Sequence, residues 1–251
     1  MSEERLLGGD LNVVVRVRDT VRRPVGHWSD AVHSLLRHFE AVGFDGAPRF
    51  LGIDEQGREI LSYVEGEAAL DLPRDDEAAA GVGALLRRMH AAQREFERPP
   101  DASWFSDGLD GPLVCHGDLF PPNVILRHGV PAALVDWDLA GPGDHLIDVA
   151  GAAYNWAPLR ADGPDDLAPT DRARRARAVC DGYGLDAGDR ARLVDRVLEM
   201  REHGYALHHR LGAVERRPGW REMWDAGSGA KIRANAAWVR EHRRELEAAL
   251  Q

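Results

Sequence analysis

Between residues 116 and 148 the chain concentrates hard oxygen donors at spacings that suit phosphoryl transfer. It reads His116-Gly117-Asp118, then Asn123 five residues after the aspartate, then Asp136-Trp137-Asp138, then Gly143-Asp144 and finally Asp148. Moving a phosphoryl group asks a protein to position the reactants and neutralise phosphate charge more than to do covalent chemistry. Mg²⁺ takes oxygen ligands, usually one or two carboxylates together with phosphate oxygens. Asn123 and Asp136 can supply two such ligands, which leaves Asp118 to orient an acceptor hydroxyl and accept its proton. His116 is read as holding the loop in shape. A bare His-Gly-Asp is no more than a capped turn, and Asp138 or Asp144 alone is no more than a turn or cap residue. The reading rests on the whole run.

Such groups need a rigid frame. Apolar runs at 113–115, 124–126 and 132–135 flank the polar loop and predict short buried strands, with Asp136 at the end of the last. Upstream, residues 6–23 predict a β-hairpin: Val13, Val14, Val15 and Val17 are β-branched, Arg18-Asp19 forms the turn, and Thr20-Val21-Arg22 returns. A helix is expected over 29–42, with Ser29 as N-cap, Val32, Leu35, Leu36 and Phe39 on one face and Gly43 past its end. A second hairpin joins 50–53 to 59–64 across the turn at Asp54 to Gly57. After Glu65-Gly66-Glu67 strand signals become scarce. Helices are expected over 75–94, 146–156, 189–211 and roughly 229–249, with 157–171 as a Pro-, Asp- and Gly-rich loop. The Arg-rich stretch 172–177 reads as a solvated helix face. A strand-rich N-terminal third before a mainly helical remainder predicts an α+β fold of two lobes with a cleft between them. The first, 1–66, has an antiparallel sheet and one helix; the second, 67–251, holds the polar loop.

Composition excludes several classes. The 251 residues carry a net charge of -10 and are 44% hydrophobic. An acidic chain is a poor partner for nucleic acid, which needs clustered Lys and Arg, but it would attract a cationic small molecule. No run approaches a membrane span. Two cysteines far apart, Cys115 and Cys180, make neither a disulfide framework nor a zinc site and fit a reducing cytoplasm.

His116-Gly117-Asp118-x-x-x-x-Asn123 followed by Asp136-Trp137-Asp138 resembles the signature of the aminoglycoside phosphotransferase and choline kinase superfamily, whose fold is similar to that of protein kinases. The resemblance implies a nucleoside triphosphate donor, ATP or GTP, and a hydroxylated small-molecule acceptor. Aminoglycoside-like compounds and amino alcohols are favoured. It implies Asp118 as base, Asn123 and Asp136 on the metal, Asp148 bracing the loop and Asp138 supporting the site. It also implies a phosphate-covering loop at Gly8-Gly9-Asp10-Leu11-Asn12, with Gly9 and Asn12 at the nucleotide, and purine contacts from the backbone of Ser62, Tyr63 and Val64. The superfamily places a phosphate-binding Lys on the third strand, paired with a helix Glu. The one lysine here, Lys231, is far from that strand. Arg22 is the best substitute by position and Arg23 the runner-up, while Val32 and His33 stand near the expected Glu.

The missing Lys–Glu pair keeps open a kinase-like protein that binds nucleotide without turnover. It also leaves Arg22 and Arg23 open to a plainer role, solvating an edge strand. A metal-dependent phosphoesterase could use the same carboxylates, but the sequence shows no second cluster for a two-metal site. Tyr154 and Trp156 read as buried more readily than as acceptor contacts.

Overall fold

Alternation of β-branched and polar residues in the N-terminal third gives the sheet that carries the basic side of the site. The protein is described by a computed structural model, which covers residues 3–5, 14–69, 75–105, 110–163 and 167–251. Gly9 and Asn12, with the rest of the expected phosphate-covering loop, lie outside these described residues.

Five antiparallel strands, β1 (Glu4–Arg5), β2 (Val15–Val17), β3 (Thr20–Pro24), β4 (Phe50–Ile53) and β5 (Arg58–Ser62), are arranged in the order β1-β2-β3-β5-β4. The β2–β3 turn is made by Arg18 and Asp19, with Arg18 at a φ of 55°. Strand register fixes the places of two neighbouring arginines: Arg23 is the cross-strand partner of Glu59, and Arg22 that of Ile60. Successive strand side chains point to opposite faces, so the two arginines are separated, Arg23 buried and Arg22 half-buried. Helix α1 (Ser29–Ala41) buries Val32, Leu35, Leu36 and Phe39, one stripe at helical spacing. Ser29 is not the N-cap expected from the sequence. Trp28 holds that position, and Ser29, the first helical residue, turns its Oγ back to accept the Gly26 amide at 2.9 Å. A serine hydroxyl readily bonds a nearby backbone group, and here that group lies before the helix.

Downstream come β6 (Glu67–Ala68), α2 (Asp76–Ala92), β7 (Leu113–Cys115), β8 (Val124–Arg127), β9 (Val130–Leu134) and β10 (Gly141–Gly143). They form a three-stranded sheet, β6-β8-β9, and a two-stranded one, β10-β7. Short 3-10 turns occupy Pro121–Asn123 and Trp137–Leu139. Strand β10 was not expected, because Gly-Pro-Gly reads as a turn; it pairs with β7 through Gly141 and Cys115.

The remaining helices are α3 (His145–Trp156), α4 (Pro169–Tyr183), α5 (Ala187–His208), α6 (Trp220–Asp225), α7 (Ser228–Glu241) and α8 (Arg243–Leu250). By packing, residues 1–72 and 85–148 form one unit, and 73–84 and 149–251 form the other. The helical unit closes on Leu193, Val197, Val239, Leu246 and Leu250, with Tyr154 and Trp156 buried as well. Two expected helices end earlier than their apolar periods. The first passes at His209–Val214 into a π-helical turn, where a Cβ on Gly212 would come within 2.6 Å of the Trp220 carbonyl oxygen and the Trp224 Cβ. The second breaks at His242. The Arg-rich face of α4 is not wholly solvated. Arg172 is buried and donates to the carbonyls of Pro158, Arg160 and Leu167, so it ties down the preceding loop. Among the described residues no helix is long and apolar enough to cross a membrane.

Candidate active site

The loop after β7 is shaped by a buried carboxylate. Asp148, in the first turn of α3, accepts the His116 amide at 3.0 Å, the Gly117 amide at 3.2 Å and His90 Nε2 at 3.0 Å. Burial pushes its carboxyl up, yet the His90 hydrogen bond and the neighbouring donors outweigh this and hold it below the usual carboxylate range. Gly117 has a φ of 78°, and a Cβ there would lie 2.4 Å from the Leu139 carbonyl oxygen, so the turn admits only glycine. His116 Nε2 lies 3.0 Å from the Val135 carbonyl oxygen. A carbonyl only accepts, so Nε2 carries the proton and Nδ1 is left to accept the Asp118 amide at 3.3 Å. The buried His116 ring also meets Trp137 edge-on, with centroids 4.6 Å apart. His116 therefore joins the end of β9 to the loop.

Asp118 and Asn123 are locked together. Asn123 Nδ2 donates to the Asp118 carbonyl at 3.1 Å and to its carboxylate Oδ2 at 2.8 Å. The Asn123 carbonyl in turn accepts the Val135 amide at 2.9 Å, one residue before Asp136. Burial, joined by the negative charge of Asp136, pushes the Asp118 carboxyl above its ordinary value against the opposing hydrogen bond from Asn123. Asp136 sits in the left-handed region at φ 63° and ψ 71° with its side chain 44% exposed. Such a conformation is costly for a residue other than glycine and persists only where the surroundings impose it.

These groups fit a hard divalent cation. With the Asn123 amide nitrogen committed to Asp118, its Oδ1 accepts no hydrogen bond among the described residues, and Asp136 offers Oδ2 beyond the oxygen bonded to Arg23. Among the described residues no group of three or more His, Cys, Asp or Glu side chains could hold a metal unaided. Two protein oxygens completed by phosphate and water is the usual manner of Mg²⁺.

The basic side differs from its sequence reading. Arg22, the best substitute by position for the strand lysine, faces Asp54, with Nε 3.8 Å from Oδ2. Arg23 is the arginine that joins the carboxylates. Its Nε is 2.9 Å from Glu59 Oε1, its Nη1 is 2.9 Å from Asp136 Oδ1, and its Nη2 contacts Asp138. Asp138 also accepts Trp28 Nε1 at 3.0 Å. Burial raises the Asp138 carboxyl more than Arg23 lowers it. The Ser62 amide donates to the Arg49 carbonyl and the Tyr63 amide to the Asp19 carbonyl, so both are already satisfied within the sheet region; Val64 follows, half-buried.

Sequence reasoning missed Glu59, His33, His90 and Gln93. Gln93 spans Val114 by accepting its amide at 2.8 Å and donating to its carbonyl at 2.9 Å. For His90 and Gln93 a signal existed: both continue the apolar stripe of α2 from Leu86, where a polar residue needs a buried partner. Glu59 carried no such signal before its register was known.

An antiparallel sheet with one helix, followed by a braced Asp–Asn loop and a strand-ending aspartate, defines a protein-kinase-like α+β fold. The same fold occurs in a choline/ethanolamine kinase family protein from Mesorhizobium loti, which is 18% identical and has a TM-score of 0.65 over 100% of this chain and 92% of that one. An amicoumacin kinase in complex with AMP-PNP, Ca²⁺ and Ami is 12% identical, with a TM-score of 0.67 over 98% and 88%. The model of the phosphotransferase enzyme family matches residues 102–194. The trifolitoxin immunity protein of Rhizobium leguminosarum bv. trifolii is 38% identical over 98% of this chain and 97% of its own length. The chain belongs to the phosphotransferase enzyme family and has the protein-kinase-like fold.

Proposed function

We propose that this protein transfers the γ-phosphate of ATP or GTP, with Mg²⁺, to a hydroxyl of a small molecule. The observation that carries the reading is the Asp118–Asn123–Asp136 assembly on a loop held by Asp148. Asp118 orients the acceptor hydroxyl and takes its proton, and a carboxyl raised by burial is a better base near neutral pH than an ordinary aspartate. Asn123 Oδ1 and Asp136 would hold the metal, which would supply charge neutralisation at the phosphates. The acidic balance, a net charge of -10, favours a cationic acceptor such as an amino alcohol or an aminoglycoside-like compound. We read the N-terminal sheet and α1, roughly 1–66, as the nucleotide-covering lobe and 67–251 as the lobe that carries the loop and receives the acceptor. The site of action we read as the cytoplasm, where nucleoside triphosphates and reduced thiols coexist.

The test is purified protein with Mg²⁺ and ATP or GTP across a panel of hydroxylated acceptors. The panel includes amino alcohols, aminoglycosides, amicoumacin and trifolitoxin, the last two prompted by the names of similar proteins. Asp118→Ala is expected to lower kcat by ~10²–10⁴-fold, the range for loss of a general base. Absence of both nucleotide binding and transfer across the panel, with Asp118→Ala indistinguishable from the parent, overturns the reading. One observation favours a second reading, a nucleotide-binding protein without turnover: Arg23 is spent on carboxylates, and among the described residues no carboxylate of α1 pairs with it. A thermal shift with Mg-nucleotide but no turnover on any acceptor would establish that one.

A further inference from the structure

The Arg23 guanidinium is only 8% exposed, and its three nitrogens face three different carboxylates: Glu59, Asp136 and Asp138. Glu59 is the cross-strand partner of Arg23, and its second oxygen, Oε2, takes His33 Nε2 at 2.5 Å. Since a carboxylate accepts, His33 donates. His33 belongs to α1, is buried, and stacks on Phe50 of β4 with ring centroids 3.7 Å apart. The Arg23 Nε is thus paired by charge, without a hydrogen bond, to a β5 carboxylate that is itself fixed from α1 and β4. The planar guanidinium presents its other nitrogens as a rigid fork, and Nη1 donates to Asp136. Here they aim at Asp136 Oδ1 and Asp138 Oδ1.

We propose that His33, Glu59 and Arg23 form a positioning relay for the metal-facing carboxylate Asp136, with Asp138 as its second anchor. The proposal rests on the phosphotransferase reading, in which Asp136 is a metal ligand. It departs from the superfamily's arrangement, where the strand cation serves the nucleotide. A guanidinium this enclosed, with its nitrogens on carboxylates, does not present itself to a phosphate. Asp136 needs such a partner, because a carboxylate 44% exposed is otherwise free to rotate. With Oδ1 pinned, Oδ2 keeps one direction. One guanidinium among three carboxylates also leaves an excess of negative charge that suits a divalent cation. Groups that orient metal ligands commonly alter metal affinity as much as weak ligands do.

The experiment titrates Mn²⁺ alone onto the full chain, read by electron paramagnetic resonance, and measures the nucleotide KM at saturating Mn²⁺. Arg23→Lys keeps the charge but not the planar fork; His33→Phe keeps the stacking ring but not the donor; His33→Gln restores an N–H donor. Arg23→Lys and His33→Phe are expected to weaken Mn²⁺ binding ~10-fold or more with nucleotide KM little changed, and His33→Gln to recover part of the loss. Thermal melts confirm that each variant is folded. If Arg23→Lys fails to fold, the His33 pair decides alone. Unchanged Mn²⁺ affinity in folded His33→Phe overturns the relay while leaving the phosphotransferase reading intact. A raised nucleotide KM with unchanged Mn²⁺ affinity overturns it in favour of a phosphate contact. No Mn²⁺ binding by the parent chain overturns the relay, while the phosphotransferase reading stands or falls on the acceptor panel.

Discussion

The loop from His116 to Asp148 and the sheet around Arg23 place charged groups at the same site by different means. In the loop most contacts are short-range or end on backbone, with His90 on Asp148 the exception: Asn123 reaches back five residues to Asp118, and Asp148 takes two loop amides. On the sheet side, Arg23 meets Glu59 and Asp136 only because strand register and a hairpin bring distant positions together. A site half built on local spacing and half on register is half legible in sequence. Its two halves should also fail differently, the loop by losing its shape and the sheet by losing the aim of a side chain.

The largest effect is expected where the loop depends on one group. Asp148→Ala leaves two loop amides and His90 without their acceptor in a buried setting, and should cost about 3–5 kcal/mol, as breaking a buried charged network does. Chemical denaturation measures it, and a cost below about 1 kcal/mol would show that the loop is held by other means. The same group gives an acid prediction. The Asp148 carboxyl lies below its usual value in the folded chain, so it binds its proton more readily when unfolded. Its contribution is present above the unfolded value near 3.8 and is lost as pH falls from there toward the folded value. Stability should therefore drop below about pH 4, and Asp148→Asn, with no carboxylate to titrate, should show a shallower drop.

Gln93→Leu comes next. It removes the amide that serves both backbone groups of Val114 and leaves a buried N–H and C=O unmet, a cost of about 1–3 kcal/mol per group at most. The readout is the melting temperature, and a fall of only a degree would mean that water takes over both bonds. This residue also marks where sequence reading ended. The motif from His116 to Asp148 was legible because its spacing is chemistry, and the helices on Leu85, Leu86 and Met89 or on Leu193 and Val197 because their period is geometry. Gly141–Gly143 as a strand, Ser29 as a first helical residue and the break at His242 were not. The first depends on pairing with β7 and the second on the Gly26 amide. Arg22 against Arg23 was undecidable for the same reason, since neighbouring residues on a strand differ only in the face they present.

That undecided pair gives the sharpest contrast between the regions, and one of its members the smallest effect. Arg22 meets Asp54 at 3.8 Å, with both side chains partly exposed, and the same Asp54 is held by Arg58 at 2.8 Å. Arg22→Ala therefore removes a long, replaceable ion pair and should change stability by no more than about 1 kcal/mol. Arg23→Ala leaves Glu59 buried beside His33 and removes the cation shared with Asp136 and Asp138, so about 3–5 kcal/mol is expected. Urea denaturation of the two variants side by side is the check. Equal costs would mean that the strand face does not separate the two arginines, and the division of the site into a locally built half and a register-built half would fall. A near-silent Arg22→Ala beside a costly Arg23→Ala would show that one residue of register decides which arginine belongs to the site.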